Sequence, residues 1–152
     1  MQVASAPLTE TELAAWRGFM RAHAAVVKQL DAELETHYGL PLSSYDVLAT
    51  LAARPDGRMR MCDLADAVAL SRSGLTRLVD RLQRERLMAR AQCAHDARGA
   101  FAVLTKAGRE RLQEAESRHR EGLRRRFLGH FSDDELRQLA RCFGRLDLTH
   151  GD

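Results

Sequence analysis

Between Met61 and Thr105 the hydrophobic period of the chain switches from helical to alternating, which constrains the fold more than any other feature. Leu64, Ala65, Val68 and Leu70 give one apolar face to a helix of about two turns, and Leu75, Leu78, Val79 and Leu82 do the same for its successor. Ala65 is small enough for the two helices to cross closely, and Ser71 stands where an N-cap must accept from the free amides of the second helix. Beyond Leu87-Met88 the pattern becomes strand-like. Ala89 to Cys93 reads as a short strand, His95 to Gly99 as a hairpin tip, and Phe101 to Leu104 as the return strand.

The order is helix, turn, helix, basic ribbon, and the second helix carries its polar residues on one side. Ser71, Arg72, Ser73, Thr76, Arg77, Asp80, Arg81 and Arg84 all lie outside its apolar stripe. Hydroxyls and guanidiniums on an outer face suit base edges and phosphates. Charge is distributed to match. Residues 71–98 hold seven Lys and Arg against three Asp and Glu, a local net of +4, whereas residues 1–70 hold six against nine. Phosphate neutralisation depends on such a local cluster more than on the total charge of +3. A solvated arginine-rich helix face satisfies the same count, so charge alone does not decide. The ribbon adds a second element: Asp96 and Arg98 fall at its exposed tip, where an arginine suits the negative potential of a minor groove and Arg90 is the expected partner of Asp96.

These residues resemble a known family. Leu64-Ala65, the run from Ser71 to Leu82, Arg90, Asp96-Ala97-Arg98 and Leu104-Thr105-Lys106-Ala107-Gly108 are similar to the multiple-antibiotic-resistance-regulator (MarR) family, and the likeness extends over nearly the whole chain. The resemblance implies a mainly α fold with a small β-wing, a winged helix-turn-helix flanked by long N- and C-terminal dimerisation helices. It implies a sequence-specific transcriptional regulator, a repressor of neighbouring genes. Such a protein acts as a homodimer on double-stranded DNA with an inverted-repeat operator, and a small aromatic or anionic effector releases it. The DNA-binding residues implied are Ser71, Arg72, Ser73, Thr76, Arg77, Arg81, Arg90, Asp96 and Arg98, with residues 71–81 in the major groove and Arg98 in the minor groove. Two positions depart from the family pattern. Arg86 stands where glycine is usual, and a helix end that wants the left-handed conformation is expected to adjust locally around it. Cys62 stands where Ser or Thr is usual.

The remaining helices call for a second copy. Leu13, Trp16, Met20, His23, Val27, Leu30 and Leu34 recur at steps of three and four and form one continuous seam. Leu112, Ala115, His119, Leu123 and Phe127 form another, and Leu136, Leu139, Phe143 and Leu146 a third, with a Ser132/Glu135 capping box between them. A winged core of about 70 residues is too small to cover three such helices, so they are expected to intertwine with a partner's. Leu42 to Ala53 reads as a further helix begun by Ser43 or Ser44, and Pro55-Asp56-Gly57 as a turn. The expected organisation is a single domain, 1–152, with dimerisation helices at 9–37 and 106–148 and a winged helix-turn-helix lobe at 42–105.

Other classes find little support. No run approaches a membrane span and the N-terminus has no signal-peptide pattern, which together lead to a cytoplasmic expectation. Cys62, Cys93 and Cys142 are odd in number and scattered, unlike a disulfide framework. Cys62 falls where an N-cap is expected, a position that lowers a thiol's pKa, so a cysteine-oxidation response stands as an alternative to a ligand. Peroxide-sensing relatives carry their cysteine in the first helix, where this chain has none. The six histidines show no metal-ligand spacing, and no phosphate loop, nucleophile elbow or triad marks an enzyme, so neither cofactor nor catalysis is expected. For an effector, the family pocket at the junction of the two lobes implies Trp16, His23, Tyr45 and Arg109, which can stack on and pair with an aromatic acid. Trp16 and His23 also serve a packing seam, so a ligand-independent regulator remains an alternative.

Overall fold

A computed structural model describes residues 6–68, 70–93 and 96–146, without the side chains of 93–98. Helix α1 runs Glu10–Tyr38. It starts at a Thr9/Glu12 capping box and stops at Gly39, whose left-handed backbone (φ 58°) returns an amide to the Glu35 carbonyl. The winged lobe follows as α2 Leu42–Ala52, β1 Arg58–Arg60, α3 Met61–Ala67, α4 Arg72–Arg84, β2 Met88–Cys93 and β3 Asp96–Leu104. Helix α5, Lys106–Arg126, leads back to α1, and a 3-10 turn at Leu128–His130 precedes α6, Asp133–Phe143.

Strand β3 lies at the centre of an antiparallel sheet of order β1-β3-β2. Strand β1 is absent from the sequence reading because three residues are too few to show alternation; only pairing of Met59 with Ala102 defines it. Both residues are buried, so the sheet's inner face seals the helix-turn-helix core of Leu48, Leu51, Leu64, Leu75, Val79 and Leu82. The return strand begins at Asp96, five residues earlier than the apolar run, because the β2/β3 ladder continues to the Cys93 and Asp96 pair. The hairpin tip is correspondingly shorter than 95–99.

Two expected helix starts are displaced. Helix α2 begins after Pro41 with no side-chain cap. Its Leu42 amide is taken by Asp31 Oδ1 of α1 at 2.7 Å, which frees Ser44 for burial elsewhere. Helix α3 has Arg60 at its N-cap, so Cys62 sits inside the first turn, exposed, with its thiol 3.5 Å from Asp63 Oδ1. The Ser71 and Ser132 caps stand as read.

The lobes are joined by close contacts. Gly108 in α5 packs so tightly on the chain at Leu87 that an added Cβ would lie 1.9 Å from its carbonyl oxygen. Arg111 donates to the Tyr38 carbonyl at 2.8 Å, and Glu33 of α1 accepts from Arg125 and Arg126 at the far end of α5. The seam of α1 is buried only at its lower end, at Leu30 and Leu34. Further up, Trp16, Phe19, Met20 and Val27 are exposed, as are Phe143 and Leu146 near the C-terminal end.

Candidate nucleic-acid interface

Helix α4 buries Leu75, Leu78, Val79 and Leu82, and this apolar stripe fixes which residues face out. Ser71, Arg72, Ser73, Thr76, Arg77 and Arg84 are exposed. Ser71 Oγ accepts from the Gly74 amide at 3.1 Å and lies 3.4 Å from Ser73 Oγ, while the Thr76 hydroxyl donates to the Arg72 carbonyl at 2.9 Å. Each of these hydroxyls keeps acceptor capacity for a base or a phosphate oxygen's water. Arg72 and Arg77 have no hydrogen-bond or ion-pair partner among the described residues, so their guanidiniums remain available to an anionic ligand or a guanine edge.

Two arginines make contacts within the winged lobe that the sequence does not reveal. Arg90 pairs with Asp80 of α4 at 2.6 Å and donates to Gln83 at 3.3 Å, while the side chain of Asp96, its expected partner, lies outside the described residues. Register places the Arg90 side chain at α4: Arg90 lies opposite Ala102, on the sheet face that meets that helix. It therefore braces the wing against the reading helix. Arg81 is only half exposed and donates to Ser44, the sole buried polar side chain among the described residues. Asp96 and Arg98 lie on the described strand, but their side chains are outside the described set.

Behind α4, the sheet outer face carries further positive charge. Arg58 lies 4.2 Å from the Phe101 ring centroid, a cation–π contact, with Arg60 at 5.8 Å. Neither is marked by the sequence, because the three-residue β1 is not.

The four residues named for an effector fall into two places. Tyr45 and Arg109 line a cavity of about 320 Å³ between α2 and α5, together with Ala49, Leu112, Gln113 and Glu116. Tyr45 is buried and packs its ring 4.2 Å from that of His119, whose Nδ1 has no partner. Burial holds the Tyr45 hydroxyl above its ordinary pKa and the His119 imidazole below its own, so both stay neutral at pH 7. The sequence marks His119 only as a seam residue; its place across from Tyr45 depends on how α2 crosses α5. His23 instead lines a separate apolar cavity of about 490 Å³ with Phe19, Val27, Leu139 and Phe143. Trp16 is exposed beside Phe19 at 6.2 Å. Neither Trp16 nor His23 lines the cavity that holds Tyr45 and Arg109.

No helix among the described residues is long and apolar enough to cross a membrane, and among the same residues no group of His, Cys, Asp and Glu is placed to hold a metal ion.

A three-stranded sheet packed behind a helix-turn-helix with an arginine-lined second helix defines a winged-helix DNA-binding protein. A MarR family model matches residues 38–99. The crystal structure of AbsC, a MarR family transcriptional regulator from Streptomyces coelicolor, superposes with a TM-score of 0.84 at 33% identity, covering 91% of this chain and 93% of that one. Sco3205, a MarR family regulator from the same organism solved in complex with DNA, gives 0.89 at 29% identity over 95% and 91%. BpsR of Bordetella bronchiseptica, whose DNA binding is regulated by 6-hydroxynicotinic acid, shares the fold at 0.76 and 18% identity over 87% and 97%. No curated protein sequence matches. The chain belongs to the MarR family of DNA-binding transcriptional regulators.

Proposed function

We propose that the protein is a homodimeric repressor that holds an inverted-repeat operator and releases it when a small aromatic acid enters the cavity between α2 and α5. The cavity carries the reading: it joins the dimerisation helix α5 to the first helix of the winged lobe, so a ligand there favours one lobe orientation over another. Arg109 supplies a cation for a carboxylate, and the neutral Tyr45, backed by the His119 ring, supplies an aromatic wall with one hydroxyl. The regulation of BpsR by 6-hydroxynicotinic acid supports this ligand class. Trp16 and His23 belong in this account to the subunit interface, because they sit on the exposed upper seam of α1.

Within the dimer, Ser71, Arg72, Ser73, Thr76 and Arg77 enter the major groove, and Arg98 at the wing enters the minor groove. Residues 9–37 and 106–148 supply the subunit interface, and 42–105 the reading lobe. The test uses a duplex selected from random sequence by the protein itself, followed by fluorescence anisotropy, with 6-hydroxynicotinate and 4-hydroxyphenylacetate added. Release by either compound, lost in Arg109→Ala, is the expected result, with a coupling of about 1–3 kcal/mol, or 5- to 150-fold in affinity. Unchanged binding and unchanged thermal stability across a series of aromatic acids would contradict the effector and leave a ligand-independent regulator.

A further inference from the structure

Arg77, Arg81 and Arg84 recur at steps of four and three, so one flank of α4 carries all three guanidiniums. They line a cleft of about 330 Å³ whose opposite wall is Ser43, in the first turn of α2. No carboxylate lines this cleft, and none lies within ion-pair distance of these three arginines among the described residues. Elsewhere the protein neutralises its arginines freely: Arg90, Arg111, Arg120, Arg125, Arg126 and Arg137 each have an acidic partner. Three like charges on one flank repel one another, and an anion between them removes that repulsion.

The cleft is also held in shape. Arg81 donates to Ser44 Oγ, a hydroxyl 1% exposed, so one guanidinium nitrogen is tied to α2 while the group still lines the cleft. Arg84 is anchored through Nε, which donates to the Asp80 carbonyl at 3.3 Å, and its terminal nitrogens have no protein partner among the described residues. A half-buried, pre-oriented arginine loses less side-chain freedom when it binds an oxyanion than a free one does.

We infer that this cleft seats one phosphodiester of the DNA backbone, gripped by Arg81 and Arg84 and flanked by Ser43, with Ser44 as the positioning residue of Arg81. The inference rests on α4 being the helix that enters the groove. It takes Arg81 out of the set of base readers and brings α2, through two adjacent serines, into the DNA interface. Phosphate contacts of this kind fix register and carry no sequence information. A backbone grip on the α2 flank of α4, opposite the wing, holds the helix from both sides: Arg90 braces it towards the wing and the phosphate seat holds it on the other side.

The experiment measures binding of the full-length protein to two labelled duplexes, one random and one selected by the protein, by anisotropy over about 50–200 mM sodium chloride. Arg81→Ala/Arg84→Ala is expected to flatten the slope of log K against log salt by about 0.9, the value of one phosphate, which corresponds to about eightfold weaker binding at 0.1 M salt. The loss is expected to be the same factor on both duplexes. Ser44→Ala keeps every charge, so it weakens binding with the slope unchanged, and it adds nothing once Arg81 is alanine. Arg84 is exposed, so Arg84→Ala alone serves as the variant whose fold and melting temperature stay those of the wild type. An unchanged slope in the double variant overturns the inference, as does a loss confined to the selected duplex, which would make these arginines base readers. If potassium phosphate at matched ionic strength abolishes the difference between wild type and double variant, the cleft takes a free anion and the inference fails. Absence of any salt-dependent duplex affinity in the wild type would overturn the placement of α4 in the groove as well.

Discussion

Arg86 takes a left-handed backbone, φ 61°, the only non-glycine residue to do so among those described. The chain turns there from α4 into β2, and the Arg86 carbonyl accepts from Thr105 Oγ1 at 2.8 Å, so the neighbouring caps hold the conformation despite the Cβ. The family resemblance implied that this position prefers glycine but not what would hold an arginine there, since Thr105 is nineteen residues away. Left-handed strain of about 1–2 kcal/mol outweighs the extra unfolded-state freedom of glycine, about 0.4–1 kcal/mol. Arg86→Gly is therefore expected to raise stability by about 0.5–1 kcal/mol, seen as a higher urea midpoint with an unchanged m-value. A lower midpoint would mean that the arginine side chain contributes contacts of its own. Ser44 is illegible in the same way. A serine near a helix start reads as a cap, and only the crossing of α2 and α4 reveals that it is buried against Arg81.

Elements were legible where one face is buried within the chain and illegible where pairing or a partner defines them. The apolar stripes of α2 and α4, the Ser71 and Ser132 caps and the Gly57 turn follow from local chemistry. The three-residue β1 and the early start of β3 do not, because the sheet's ladder defines them. Between helices, α1 and α5 are fastened at Glu33, whose carboxyl is held below the usual glutamate range chiefly by its hydrogen bond from Arg126, with Arg125 adding to it. A carboxylate with a depressed folded-state pKa contributes stability above its unfolded value, about pH 4.3, and loses it as pH falls through the lower folded value. Glu33→Gln is expected to flatten the acid side of the stability profile and, by removing the carboxylate that Arg125 and Arg126 share, to leave the protein less stable at pH 7. The comparison is a set of urea titrations from neutral pH down to about pH 3. Parallel acid limbs in wild type and variant would contradict the assigned cause.

At the scale of the molecule, the upper half of α1 and the region of α6 expose Trp16, Phe19, Met20, Phe143 and Leu146 around an apolar cavity of about 490 Å³. Seam periodicity showed that these faces are apolar. It did not show that α1 would be split, its lower turns buried on α5 and its upper turns left uncovered, nor that the effector residues would separate accordingly. In the proposed dimer a second copy fills this surface, and an unpartnered charge placed there is costly. Phe143→Glu is expected to shift the mass measured by light scattering from dimer towards monomer and to weaken duplex binding in parallel. A stable dimer in that variant would place the subunit contact elsewhere.

Two-fold symmetry would set two α4 helices about one turn of DNA apart, and the most direct measurement is a hydroxyl-radical footprint of the protein on a duplex it has selected from random sequence. Two protected half-sites related as an inverted repeat, about 10 base pairs centre to centre, are expected. A single asymmetric protected site, at concentrations where the duplex is saturated, would contradict this arrangement.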